Sequence, residues 1–179
     1  GERVVRLKGG DPAIFGRATE ELEACRAAGV LVQVCPGITA ASAAAACLGA
    51  SLTLRGAARK LTLVTAHARA GEKLSLDWAA LADPAATLAI YMGKAAAGEI
   101  STQLIGAGLS ADTPVALVEN ASLPGERQLR TRLDLLPLAA AAALGDGPAI
   151  LLIGEAMRAA KSVSPMREPA SIDASVPRH

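Results

Sequence analysis

Short apolar runs, each closed by glycine or proline and followed by a helix-compatible stretch, constrain this chain more than any other feature. Residues 4–7 (Val-Val-Arg-Leu) run into Lys8-Gly9-Gly10-Asp11-Pro12. Asp11 is a capping residue type and Pro12 suits a first helical turn. Helical sequence follows over about 17–28, stopped by Gly29. Residues 30–34 read as a second strand broken by Pro36-Gly37, and 38–48 as an Ala-rich helix ended by Gly49. Strand, loop, helix, repeated, implies a parallel sheet with crossover helices.

The alternation resumes after an interval at 50–60. Strands are expected at 61–65, 87–91, 114–118 and 148–153, and helices at 77–81, 98–107 and 135–144. A further strand at 128–133 would pair through the Pro124-Gly125 turn. The expected organisation is α/β throughout. Residues 1–51 form the C-terminal part of a first α/β domain, 52–60 a linker, and 61–156 a second α/β domain. The proline- and serine-bearing stretch at 157–179 is expected to be a disordered tail. Because the first apolar run lies so near Gly1, the chain reads as beginning inside a fold, with its first domain incomplete.

Composition narrows the function classes. Hydrophobic residues make up 51% of the chain but aromatics only 2%, so the core must be built from Ala, Leu, Val and Ile in close contact. The net charge of +1, with both signs interspersed, offers no concentrated basic face for nucleic acid. No apolar run is long enough to span a membrane. The cysteines, Cys25, Cys35 and Cys47, match neither a zinc nor a CxxC spacing, so no metal site is expected. They read as small, partly buried residues of a reducing cytoplasm.

Five segments fall at expected strand ends, where open α/β sheets bind ligands. They are Lys8-Gly9-Gly10-Asp11-Pro12, Cys35-Pro36-Gly37-Ile38-Thr39-Ala40, Tyr91-Met92-Gly93, Val118-Glu119-Asn120-Ala121-Ser122 and Ile153-Gly154-Glu155. Two glycines at a strand end let a ligand approach the backbone, and the following helix offers free N–H groups. Each segment alone also has a plain structural reading: a turn, a cap at Thr39, or core packing at Met92. No GxGxxG with a later acidic residue occurs, so a bare dinucleotide-binding domain is disfavoured.

Taken in order, LKGGDPxIFGR, PGITAAS, LDWAALA, YMG, PVALVENAS and PAILLIGE resemble the uroporphyrinogen-III C-methyltransferases of the tetrapyrrole methylase superfamily. The resemblance covers residues 3 to about 156. It implies the tetrapyrrole methylase fold: two α/β domains with S-adenosylmethionine in the cleft between them, in a homodimer. It also implies methylation of uroporphyrinogen III at C2 and C7 to precorrin-2, for sirohaem or cobalamin, with S-adenosylhomocysteine as co-product. By the same resemblance Gly9, Gly10, Asp11, Ile14, Thr39, Ala40, Met92 and Ala121 are expected cofactor contacts. Arg17, Arg55 and Arg59 are candidates for the substrate's carboxylates by charge complementarity. His67 matches a structural or substrate-side position.

The chain departs from the family pattern at Ala13, Ala18-Thr19, Leu54, Ala66 and Ala121. The segment that carries the family's proposed acid–base residues has no counterpart here, so the catalytic residues are unknown. Turnover by this chain is therefore expected to be impaired. A later corrin precursor as substrate, or a silent ligand-binding fragment, are the alternative readings.

Overall fold

The computed structural model describes residues 2–67 and 74–158. In chain order the elements are α1 (Ala18–Ala27), α2 (Ala40–Cys47), β1 (Lys60–Thr65), α3 (Trp78–Leu81), β2 (Ala86–Tyr91), α4 (Ala97–Gly106), β3 (Pro114–Glu119), β4 (Arg127–Arg132), α5 (Leu136–Ala143) and β5 (Ala149–Ile153). The strands form one mixed sheet in the order β1-β2-β5-β3-β4. β1 and β2 are parallel, with Thr65 opposite Tyr91. β5 is antiparallel to both neighbours, pairing Ile150 with Tyr91 on one side and Val118 on the other. β3 and β4 form the hairpin expected from the Pro124-Gly125 turn.

The three central strands are covered on both faces, which is why they read as unbroken apolar runs rather than alternating ones. Side chains still alternate. Leu88, Ile90, Val115, Leu117, Leu151 and Ile153 join one apolar cluster with α4 and α5. Ala89, Tyr91, Ala116, Val118, Ile150 and Leu152 join another with α2. α4 buries Ala97, Ile100, Ser101 and Leu104, the i, i+3, i+4, i+7 stripe of a half-buried helix. Its single buried hydroxyl is satisfied, Ser101 donating to the Leu133 carbonyl at 2.6 Å. α2 reaches the sheet through Ala41 and Ala44, both fully buried. Small side chains there let the helix backbone approach closely, which suits a core short of aromatics.

The first fifty residues depart from expectation. Neither 4–7 nor 30–34 joins a strand ladder among the described residues. Val4, Leu7 and Leu31 are 84%, 80% and 99% exposed. An apolar run sets a tendency to be buried, but a ladder also needs a neighbour in register, and neither run has one. The expected parallel arrangement in this stretch is thus corrected to two helices joined by extended segments. α1 starts at Ala18 and buries no residue. Pro12 lies in a turn before it rather than in its first turn.

At the other end Met157 is 1% exposed and packs with the α2-side cluster. The Arg130 Nη1 donates to its carbonyl at 2.8 Å. The fold therefore extends past the expected boundary at 156. Residues 159–179, the rest of the expected tail, lie outside the described residues. Among the described residues no helix is long and apolar enough to cross a membrane, and no group of three or more His, Cys, Asp or Glu side chains could hold a metal.

Candidate functional site

β1, β2 and β3 all end at one edge of the sheet. The pairings Thr65–Tyr91, Tyr91–Ile150 and Glu119–Ala149 bring Ala66-His67, Met92-Gly93 and Asn120-Ala121 together there. Only β5 separates the Met92 turn from the Ala121 turn, a spacing of roughly 10 Å at 4.8 Å per strand.

Met92 does not pack in the core. It has φ 55° and is 49% exposed, directly after a strand whose every residue is buried. Gly93 explains the turn. A Cβ there would meet Leu151 Cδ1 at 2.9 Å, Ile90 Cγ2 at 3.0 Å and Ile100 Cδ1 at 3.1 Å. The backbone therefore dives onto the core at Gly93 and swings Met92 outward.

The two N-terminal loops meet over this edge. Asp11 Oδ1 accepts from the Ala13 N–H at 2.8 Å, and Oδ2 accepts from the Gly37 N–H at 3.2 Å. Asp11 is thus a strut between the 8–12 and 35–39 loops rather than the cap of α1. Gly37 lies against the Gly10 carbonyl so closely that no Cβ fits. Gly10 has φ 74°, a conformation that favours glycine. Gly9, by contrast, has open space around it and no such requirement.

Tyr91 links these loops to the sheet. Its hydroxyl accepts from the Ala41 N–H at 3.2 Å and shares a short hydrogen bond with Thr39 Oγ1. Its ring lies 4.8 Å from that of Phe15, tilted by 56°. Thr39 occupies the N-cap position of α2, yet its side chain makes no cap hydrogen bond. Ile14, Ala40 and Ala121 pack against the α2-side cluster beneath. The expected cofactor positions thus gather at one edge of the sheet, supported by Tyr91 and Phe15, which were read from sequence only as parts of motifs.

The Ala121 turn is held by two carboxylates that were not singled out. Glu119 is 1% exposed and accepts from the Gly145 N–H at 2.8 Å and the Gly147 N–H at 2.9 Å. Lys94 Nζ and Arg127 Nη1 stand 3.7 and 3.9 Å away. The Gly145 N–H, then Gly147 and the two cations, hold its pKa below the ordinary glutamate value against the opposing effect of burial. Glu126 accepts from Cys47 Sγ at 2.7 Å, Gln128 Nε2 at 2.7 Å and the Ser122 N–H at 2.8 Å. The Cys47 thiol is the first cause of its lowered pKa, followed by Gln128 and the Ser122 N–H. Cys47 is thus a hydrogen-bonded link from α2 to this turn. All three cysteines are free, and Cys35 is exposed.

The candidate arginines do not gather. Arg17 is exposed beside the first loop, with φ 56° and an ion pair to Glu20 at 3.1 Å. Arg55 is exposed in the turn between Leu54 and Ala58. The Arg59 N–H donates to the Ala85 carbonyl, at the start of β2. Five strand steps separate that end from Tyr91, roughly 17 Å at 3.3 Å per residue. Arg59 therefore sits at the opposite edge of the sheet. His67 is exposed at the site edge, its N–H donating to Thr65 Oγ1 at 3.2 Å.

Comparison with known proteins agrees with this architecture. Residues 1–137 match the family described as Tetrapyrrole (Corrin/Porphyrin) Methylases, and the chain belongs to that family. It is 48% identical over 159 residues to the uroporphyrinogen-III C-methyltransferase of Pseudomonas aeruginosa, covering 88% of this chain and 64% of that protein. It is 50% identical over 159 residues to a siroheme synthase of Gluconacetobacter diazotrophicus, covering 88% of this chain and 34% of that protein. The chain thus spans about a third of that synthase and somewhat under two thirds of the methyltransferase. The structure of uroporphyrin-III C-methyltransferase from Thermus thermophilus complexed with S-adenosylhomocysteine superposes with a TM-score of 0.71 at 36% identity, over 87% of this chain and 67% of that one. A cobalt precorrin-4 methyltransferase gives 0.75 at 30% identity, over 83% and 62%.

Proposed function

We propose that the protein is an S-adenosylmethionine-dependent C-methyltransferase of uroporphyrinogen III, acting at C2 and C7 to give precorrin-2 for sirohaem or cobalamin. The observation that carries this reading is the convergence of the 8–12 loop, the 35–40 loop, Met92 and Ala121 at one sheet edge. It is supported by the identity to relatives named for that reaction. S-adenosylhomocysteine in the Thermus relative supports the cofactor.

The edge suits such a cofactor. It offers backbone at Gly9 and Gly10, the Thr39 hydroxyl hydrogen-bonded to Tyr91, and an exposed thioether at Met92. Gly9, Gly10, Asp11, Ile14, Thr39, Ala40, Met92 and Ala121 would hold the cofactor. When bound, it supplies an electrophilic methyl group. The protein's part is to fix the distance and alignment of the two reactants and to exclude water, with no protein nucleophile required. Arg17, beside the first loop, is the leading candidate for the substrate's carboxylates; Arg59, and Arg55 in the turn just before it, start from the far edge. No acid or base is assigned.

We propose the two-domain division near 52–60 and a homodimeric cytoplasmic protein on the same family grounds. The exposed apolar runs at 4–7 and 30–34 favour aggregation and impaired turnover by the 179-residue chain. A later corrin precursor is the second reading, favoured by the structural similarity to the cobalt precorrin-4 methyltransferase.

Calorimetric titration with S-adenosylhomocysteine tests the cofactor site. Binding that Gly10→Arg abolishes is the expected result. No binding to the folded wild-type chain would overturn the assignment. Parallel incubations with labelled S-adenosylmethionine and either uroporphyrinogen III or a later corrin precursor, read by mass spectrometry, test the substrate. Labelled methyl groups on a later corrin precursor alone would select the second reading.

A further inference from the structure

We infer that Arg130 is a positioning residue for the candidate site, acting from β4 on the carboxyl end of α2 and, through that helix, on the 35–40 loop. The inference rests on the proposed cofactor reading.

α2 has little of its own to grip with. Its eight residues carry nothing longer than Ser42 and Cys47, and it buries only Ala41, Ala44 and Ala45. Such a helix lies close on the sheet, but single methyl groups make shallow ridges that resist sliding weakly. The hydrogen bonds at its end show what holds it. The Gly49 N–H takes the Ala46 carbonyl and the Ala50 N–H takes the Ala45 carbonyl. The Cys47 and Leu48 carbonyls are left over, as the last carbonyls of a helix are. Both are met from β4. Gln128 Nε2 donates to the Cys47 carbonyl at 3.0 Å, and Arg130 Nη2 donates to the Leu48 carbonyl at 2.9 Å. Arg130 Nη1 donates to the Met157 carbonyl at 2.8 Å, so one guanidinium spans the end of α2 and the segment after β5. Arg130 stands opposite Ala116, on the α2 side of the sheet. Arg127, Arg132 and Arg158 each have a carboxylate partner, whereas Arg130 has none among the described residues. Its charge faces the negative end of the helix dipole instead. The effect reaches the site because α2 begins there. Gly37, just before the helix, meets the Gly10 backbone with no room for a Cβ. A slide of α2 along its axis therefore drives one N-terminal loop against the other, although the hydrogen bonds of Arg130 go to neither loop.

The test reads S-adenosylhomocysteine affinity by calorimetry, well below the melting temperature of each variant. Arg130→Met keeps the stem and removes the fork. It is expected to weaken binding about tenfold, which corresponds to α2 holding its binding position about one-tenth of the time. Gln128→Leu removes the neighbouring donor and is expected to weaken binding about threefold, the low end for one neutral hydrogen bond. Arg132→Met is the control. The same strand loses the same charge, but from an arginine paired with Asp134, and wild-type affinity is expected. A role in stability alone would lower the melting temperature of Arg130→Met and leave the affinity of the folded protein unchanged, and that result overturns the inference. An equal loss of affinity in Arg132→Met overturns it too. If Arg130→Met does not fold, Gln128→Leu decides, and wild-type affinity in it overturns the inference. A folded wild-type chain that does not bind overturns the cofactor reading and this inference together. A wild type that binds no better than Arg130→Met overturns the inference alone, so the two failures are distinguishable.

Discussion

Replacing Gly37 by alanine should separate binding from stability. In the structure a Cβ at Gly37 would lie 3.1 Å from the Gly10 carbonyl carbon and 3.2 Å from Asp11 Cα, with the Gly10 oxygen closer still. Carbon pairs prefer separations of about 3.5–4.0 Å, so the two loops must part by about 1 Å. The obstacle is backbone, which cannot rotate away as a side chain could. The Asp11–Gly37 hydrogen bond is already 3.2 Å long and would not survive that shift. A misplacement of about 1 Å in a positioning element can cost on the order of a hundredfold. Affinity for S-adenosylhomocysteine should therefore fall by roughly 10- to 100-fold. Gly37 is exposed and outside both apolar clusters. A change confined to such a surface usually alters stability by no more than about 0.5 kcal/mol, about 2 °C in melting temperature for a chain of this size. Calorimetry and thermal denaturation on the same samples check both statements. Wild-type affinity would refute the claim that loop contact shapes the pocket. A fall in melting temperature of more than about 4 °C would refute the claim that these loops lie outside the cooperative core.

Gly93→Ala should behave in the opposite way. Its Cβ would press on three core side chains, and overpacking of this kind costs about 1–3 kcal/mol, readable as a lower urea midpoint. An unchanged midpoint would show that the core yields freely there. Glu119 should give an acid-dependent term. Its folded-state pKa is lowered, so the stability it contributes is present above the unfolded value, near 4.3 for glutamate, and is lost as pH falls through the lower folded value. The melting-temperature gap between wild type and Glu119→Gln should narrow on acidification through that window. A gap that stays constant from neutral to strongly acid pH would refute the assignment.

The second half of the fold was legible because burial and sequence say the same thing there. β2, β3 and β5 are covered on both faces, and each is a continuous apolar run between turn formers. Strand order was not legible. Nothing in the periodicity reveals that β5, the last strand, inserts antiparallel between β2 and β3. The first half misled for a related reason. Residues 4–7 and 30–34 are largely apolar, as β3 is, but among the described residues no strand lies in register beside them. The runs therefore stay outside the sheet, and α2 alone joins the core.

The site followed a different logic. Its glycines were visible as a motif, but which of them the geometry requires was not. Gly10 is needed for its backbone angle and Gly37 for close approach, whereas Gly9 stands in open space. Tyr91 and Phe15 carried a signal that was passed over. The chain has one Tyr and one Phe; Phe15 falls inside a loop motif and Tyr91 closes the apolar run of β2. In a core made of small aliphatics, an aromatic residue at a strand end has a task that packing alone does not explain. The same reasoning applies to Glu119. A carboxylate closing an otherwise apolar strand is costly to bury unless it meets donors. The donors are the N–H groups of Gly145 and Gly147, which would otherwise stand unpaired beside it. The strand's closing glutamate and the glycines before β5 are thus one device, and its effect is to fix the turn that presents Ala121.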